Sequence, residues 1–177
     1  PLRDFMFRQT REDDLRLLEM RTHCALLERA FLSADAHRLS MAWADVPRAL
    51  REQPQILGDY SGYLQELGRD AEAEALLRGA MRRHWDSGLV ETYGLLETAD
   101  PGRQLSYMEK RLTDHPDDPV LLLTLGRLSL RARLWGKARG YLEACIGRNG
   151  PPQAYRELGQ LLERMHQPEQ AIEVYRQ

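Results

Sequence analysis

The chain has 177 residues, enough for one ordinary domain or one run of short repeats and too few for two comfortable domains. Its 25 Lys+Arg against 27 Asp+Glu leave a formal net charge of −2, which argues against a dedicated nucleic-acid binder, whose affinity rests on a strong positive excess. No apolar run approaches the about 18 residues that span a bilayer, no signal peptide is legible, and two cysteines, Cys24 and Cys145, make neither a disulfide framework nor by themselves a zinc site.

Helical periodicity runs from one end to the other, and no stretch shows the two-residue alternation of a half-buried strand. The segment Asp13 to Leu32 puts Leu15, Leu18, Thr22, Ala25 and Leu26 on one stripe. A second helix follows from Ala36 to Arg51, with Pro47 either kinking it or opening a new one. Beyond it, breakers recur at Gly68, Pro101, Pro116, Pro119, Gly136, Gly150, Pro151, Pro152 and Pro168. They separate helices of roughly 11 to 15 residues with short loops, so consecutive helices must pair as antiparallel hairpins.

That rhythm is an internal repeat. Leu125-Gly126 recurs 33 residues later as Leu158-Gly159, Ala138 as Ala171, and Leu142 as Tyr175. Small residues at these places mark close approaches between two helices, with the larger partners filling the gaps beside them. Looser copies run through Tyr60-Ser61, Gly68, Ala73, Leu77 and Ala80, and through Tyr93-Gly94, Met108 and Pro116. The period and the Leu-Gly…Ala…Pro skeleton resemble the tetratricopeptide repeat, whose length is about 34 residues. The expected fold is all-α: a right-handed α-solenoid of antiparallel helix pairs, about ten helices in all. It forms a single repeat domain over 1–177, with N-terminal helices in 1–52, repeats at 54–86, 87–118 and 119–151, and an incomplete last repeat at 152–177. Ala171, Ile172, Val174 and Tyr175 would then face a neighbour the sequence does not supply. With Pro1 in place of Met, this points to a fragment of a longer protein, or to an end covered by a second copy in a homodimer.

Catalytic signatures are missing: there is no Gly-rich phosphate loop, G-x-S-x-G, H-E-x-x-H or C-x-x-C, and the five histidines lack metal-ligand spacing. Neither a catalytic nor a metal site is expected. Cys145 lies on an apolar stripe with Tyr141, Leu142 and Ile146 and reads as a small buried hydrophobe. Binding is the better candidate. No acid occurs between Asp118 and Glu143, while Arg127, Arg131, Arg133, Lys137 and Arg139 are all basic. Val120, Leu123, Arg127, Leu130 and Arg131 should border the groove lined by the first helix of each pair, and the next repeat offers Arg156, Gln160 and Arg164 there. An apolar floor at Leu123 with a rim at Arg127, Arg131, Arg156 and Gln160 would suit an anionic amphipathic ligand or an acidic peptide, each Arg holding a carboxylate in a two-pronged hydrogen bond. The competing expectation is a solvated face whose arginines pair with Glu157, Glu163 or other acids. A second basic cluster, Arg78-Arg82-Arg83-His84, closes a helix where cations favour the C-terminal dipole. Trp43, Trp85 and Trp135 sit near helix boundaries and should wedge adjacent hairpins.

Several strings go beyond a generic repeat: Trp43 to Arg51, the run His84-Trp85-Asp86 with Leu89-Val90 and Tyr93-Gly94, and His115-Pro116-Asp117-Asp118-Pro119 followed by Leu121 to Leu128 and Leu134 to Glu143. They resemble the C-terminal repeat region of the bacterial HemY family, tetratricopeptide proteins associated with haem biosynthesis. The resemblance implies a full-length inner-membrane protein with two N-terminal transmembrane helices, absent from this stretch, and repeats on the cytoplasmic side. It implies a non-enzymatic scaffold at a late step of haem synthesis, docking a protein partner such as a haem-pathway enzyme. No resident cofactor follows from it. One alternative is direct haem or porphyrin binding, with propionates on Arg127, Arg131 or Arg156 and a His or Cys on the iron. Another is a generic adaptor for acidic peptides in envelope assembly. The unrelated flavin-dependent oxidase that shares the family's name is set aside because its G-x-G-x-x-G fingerprint is missing.

Overall fold

The computed structural model describes the backbone of residues 2–177 and the side chains of residues 11–177; Pro1 lies outside the described residues. Among the described residues the chain is all-α, with no strand. Eleven α-helices run in order: α1 (Leu2–Leu32), α2 (Ala36–Asp45), α3 (Arg48–Arg51), α4 (Pro54–Glu66), α5 (Asp70–Arg83), α6 (Ser87–Leu95), α7 (Pro101–Glu109), α8 (Pro119–Arg131), α9 (Trp135–Gly147), α10 (Gln153–Arg164) and α11 (Pro168–Tyr175). A 3-10 turn, Lys110–Thr113, extends α7. The helix beyond the expected ten is α3: Pro47 ends α2 and opens a new turn rather than kinking a long one. No helix among the described residues is long and apolar enough to cross a membrane.

The chain divides into two compact units, Pro1–Ala80 and Met81–Gln177, with α5 running across the division. In the first, α1 packs against α2 and α4. Asp35 starts α2 by accepting from the backbone N–H of His37 (2.9 Å) and Arg38 (3.2 Å), satisfying donors that have no partner inside the helix. At its other end Arg51 donates to the carbonyls of Ala44 (2.6 Å) and Val46 (2.7 Å), and its guanidinium sits over Trp43, which stacks on Tyr60 at 4.1 Å. The stripe expected on α1 is not the buried one. Leu15, Leu18 and Leu26 are exposed, whereas Leu27 is fully buried and Met20, Cys24 and Phe31 flank it half-buried. Packing decides it: α2 and α4 both lie against α1, with Phe31 stacked on Tyr63 of α4 at 4.7 Å, and they cover the side that carries Leu27.

In the second unit Asp86, Asp100 and Asp118 cap α6, α7 and α8 through their side-chain oxygens. Asp118 also accepts from the Trp85 indole N–H (3.0 Å), and that ring stacks on His115, so Trp85 wedges one hairpin against the next. The hairpin turns share one geometry. Arg133 after α8 has φ 58° and His166 after α10 has φ 59°, with N–H groups of Leu134 and Gln167 closing on Ser129 and Leu162 carbonyls at 2.9 Å. In the first unit Gly68 holds the equivalent place at φ 70°.

Small residues mark the close approaches. A Cβ on Gly94 would lie 2.8 Å from Thr124 Oγ1, and one on Gly126 would lie 2.8 Å from Leu142 Cδ2. One on Gly159 would strike the Tyr175 ring, so Leu142 and Tyr175 fill the same gap in successive repeats. Leu122, Leu123, Ala138, Leu142, Cys145, Ala154, Leu158 and Leu161 form one buried cluster beneath α8, α9 and α10.

Candidate functional site

The first helices of the second unit, α6, α8 and α10, carry the residues singled out for binding. Asp118 and Pro119 start α8, and Leu121, Leu122, Leu125 and Leu128 anchor it in the core. Thr124 donates its hydroxyl to the Val90 carbonyl (3.2 Å), which sets α6 close beside it. The remaining face of α8 carries Arg127, Leu130 and Arg131.

Arg127 is a strut between helices. Its Nε donates to Glu157 of α10 at 2.9 Å, and its Nη1 lies 3.8 Å from Glu91 of α6. Side-chain exposures of 12% for Arg127 and 15% for Glu157 place this pair well out of bulk water, where an ion pair is screened less. Arg131 performs a different task. Its Nη2 donates to the Gly94 carbonyl at 2.8 Å and its Nη1 lies 3.4 Å from that of Leu95. These are the last carbonyls of α6, which have no partner inside the helix, so the guanidinium caps a C-terminus whose dipole favours a cation. Burial pulls the Arg131 pKa below its ordinary value, Glu97 works against that, and the like charge of Arg127 adds to it.

The other expected residues fall on both sides of the surface. Leu123 is 1% exposed and belongs to the core, so it forms no groove floor: Ala154, Leu158 and Leu161 of α10 belong to the same cluster. Its place at the surface is taken by Leu95, which is 57% exposed, and half-buried Leu130. With Gly94, Glu97, Arg127 and Arg131 these two line a cavity of about 270 Å³ between α6 and α8. Arg156 and Gln160 stand exposed on α10. Sequence reasoning missed Leu95 and Glu97, although Leu95 follows Tyr93-Gly94 just as Arg127 follows Leu125-Gly126, so the repeat register was a usable signal.

The rest of the basic run is largely matched by acids. Lys137 bonds Glu109 at 2.7 Å and Arg139 bonds Glu143 at 2.7 Å. Glu109 also accepts from the Tyr141 hydroxyl at 2.8 Å. Burial pushes Glu109 up, but the bonds from Lys137 and Tyr141 outweigh it and hold its carboxyl below the usual range. Tyr141 is driven the other way, to about 12, by burial and then by Glu109. Cys145 is buried, donates to the Pro119 carbonyl (3.1 Å), and is pushed up to about 11 chiefly by desolvation. Among the described residues no group of three or more His, Cys, Asp or Glu side chains could hold a metal ion.

No family model matches the chain. Over 165 residues, 93% of its length, it is 22% identical to Protein HemY of Escherichia coli strain K12, and Protein HemY of Shigella flexneri matches to the same extent. The matched stretch spans 42% of the length of those proteins. Among solved structures, residues 41 to the end of MamA from Desulfovibrio magneticus RS-1 superpose with a TM-score of 0.55 at 14% identity, covering 89% of this chain and 91% of that one. PilF of Pseudomonas aeruginosa gives 0.53 at 20% identity, covering 88% and 72%. At those identities the two structures speak to fold alone, and both support the helical-hairpin architecture. In sequence the chain is similar to Protein HemY, and in fold it is an array of antiparallel helix pairs like those of MamA and PilF.

Proposed function

We propose that this region is a non-catalytic scaffold that docks a partner protein of late haem (protoporphyrin) synthesis on the face built by α6, α8 and α10. The observation that carries this reading is the cavity between α6 and α8. Leu95 and Leu130 offer it apolar surface, and Arg127 and Arg131 stiffen its walls by bonding to neighbouring helices instead of reaching outward. Exposed apolar surface rimmed by charge on rigid elements is the usual form of a protein-docking site. The HemY likeness supplies the haem context and an inner-membrane parent that would hold the region at the cytoplasmic surface.

A porphyrin fits this geometry less well than a protein does. Its propionates would have to displace bonds that Arg127 and Arg131 already make, and neither His nor Cys lines the cavity. The test is cross-linking in cells followed by capture and mass spectrometry. The wild-type chain should recover an enzyme of late haem synthesis, and Leu95→Arg, an exposed change that leaves the core intact, should abolish that recovery. Capture of no haem-pathway enzyme, or equal capture by Leu95→Arg, refutes the reading.

A further inference from the structure

The charge that the α6–α8 cavity shows to solvent is the opposite of the charge its walls hold inside. Arg127, whose side chain is 12% exposed, bonds Glu157, and Arg131 caps α6. The N–H groups these two leave without a bond, Arg127 Nη1 and Arg131 Nε, are sealed from solvent, so an incoming carboxylate meets neither of them. The acids are the accessible groups. Glu91, one turn before Leu95 on α6, is 49% exposed and lies 3.8 Å from Arg127, beyond hydrogen-bond distance. Glu97, in the loop after α6, lines the cavity, is exposed, and acts on Arg131 through its charge alone. Glu91, Glu97 and Glu157 outnumber Arg127 and Arg131, and the C-terminal end of α6 adds a dipole that favours a further cation. At about 270 Å³ the cavity falls below the about 300–1,000 Å³ of small-molecule sites and suits one side chain seated against Leu95 and Leu130. Leu95 stays 57% exposed although α8 already packs along α6.

We propose that the α6–α8 cavity receives a basic segment of the partner, with one apolar side chain against Leu95 and Leu130 and flanking Lys or Arg side chains on Glu91 and Glu97. This rests on the reading that the region docks a protein at this cavity. Complementary charge fixes the register of such a contact, and the apolar side chain supplies the area removed from water. The spacing suits an extended segment: Glu91 stands about 6 Å from Leu95 along α6, and alternate side chains of a strand are about 6.6 Å apart. The sign is the reverse of the one the basic run from Arg127 to Arg139 suggests, because Arg127 and Arg131 spend their charge within the chain.

The test is titration of the isotope-labelled chain, followed by its backbone amide resonances, with a glycine-capped peptide whose core is Lys-Ser-Leu-Ser-Lys. Two controls replace both Lys by Glu, or the Leu by Ser. The Lys-Leu peptide should move the amides of Leu95, Glu97 and Leu130 and bind at least about fivefold more tightly than either control at low salt, the yield of two exposed ion pairs. Its advantage over the Glu peptide should shrink at high salt. The double variant Glu91→Gln, Glu97→Gln should lose that advantage while its circular dichroism is unchanged, and Leu95→Arg should bind none of the three. Equal binding of the Lys and Glu peptides, shifts that miss the cavity, no binding at all, or a double variant that behaves like wild type overturns the proposal. The two readings fail separately. If cross-linking captures a haem-pathway enzyme, loses it with Leu95→Arg but keeps it with Glu91→Gln, Glu97→Gln, the docking function stands and the basic segment falls. If no such enzyme is captured yet the Lys-Leu peptide binds through Glu91 and Glu97, the basic-segment site stands and the haem assignment falls.

Discussion

Replacing Gly126 with Ala probes how tightly the repeat is packed. The new Cβ would sit 2.8 Å from Leu142 Cδ2 and 2.9 Å from its Cγ, against a comfortable carbon–carbon separation of about 3.5–4.0 Å. Leu142 must therefore retreat by about 0.6–1.2 Å. It is fully buried with Ala138, Cys145 and Leu158 in the same cluster, so no space receives it. Overpacking of this kind costs about 1–3 kcal/mol, while the better helix propensity of Ala returns about 1 kcal/mol. The expected net loss is about 1 kcal/mol, a fall in midpoint temperature of about 2–4 °C for a chain of this size. Gly159→Ala is the matched comparison. There the Tyr175 ring is in the way, but Tyr175 is 44% exposed and can swing outward. Its propensity gain should largely offset the lost contact, leaving stability close to wild type. Urea titration followed by circular dichroism at 222 nm measures both. A Gly126→Ala chain at least as stable as wild type, or a Gly159→Ala chain that is the weaker of the two, refutes this account of the packing.

Removing the guanidinium that caps α6 should be felt although its hydrogen bonds go to carbonyls and not to a carboxylate: Arg131→Leu loses its bonds to the Gly94 and Leu95 carbonyls and should cost about 1.5–3 kcal/mol in chemical denaturation. An unchanged midpoint would show that the cap carries no weight. Tyr141 predicts an alkaline limit. Its phenol titrates at about 12 in the folded chain against an ordinary 10.0, so the folded state holds that proton more tightly. The associated stability is intact below pH 10 and is lost as pH rises toward 12. Burial also raises Tyr60, Tyr63 and Tyr175, so phenolate absorbance at 295 nm should show several late-titrating tyrosines, and Tyr141→Phe should remove one of them; a titration curve unaltered by that change would count against the assignment. Thiol chemistry supplies a fourth check. Cys145, buried and pushed up to about 11, should stay unmodified by a disulfide reagent at pH 8 until urea is added, whereas half-buried Cys24 reacts first. Rapid labelling of Cys145 in the native chain would mean that the α8–α9 interface opens readily.

The hairpin array was legible because its cues are local. Breakers, the 33-residue recurrence of Leu-Gly and Ala, and 3.6-residue periodicity all act within one or two helices. The site was only half legible, for a geometric reason. Periodicity gives the angle of a side chain about its helix axis but not what covers that angle. Leu123 and Arg127 lie four residues apart on α8, yet Leu123 is sealed within the core cluster while Arg127 bonds Glu157 of α10. Arg131 finds carbonyls 36 and 37 residues away, a partnership no local pattern announces. The α1 stripe failed in the same way, since the periodicity was real but the helix has apolar residues on two sides and α2 and α4 cover only one. Pairing of Arg127 with Glu157, the bland alternative for that arginine, is what the chain adopts.

That two-sided α1 separates the leucine that packs from the leucines that meet solvent. Leu27 looks inward, while Leu15, Leu18 and Leu26 stand 59%, 62% and 46% exposed on another side. Stickiness and fold thus reside on separate stripes of one rod, and polar replacements at the three bare leucines should lessen self-association while leaving buried Leu27 in place.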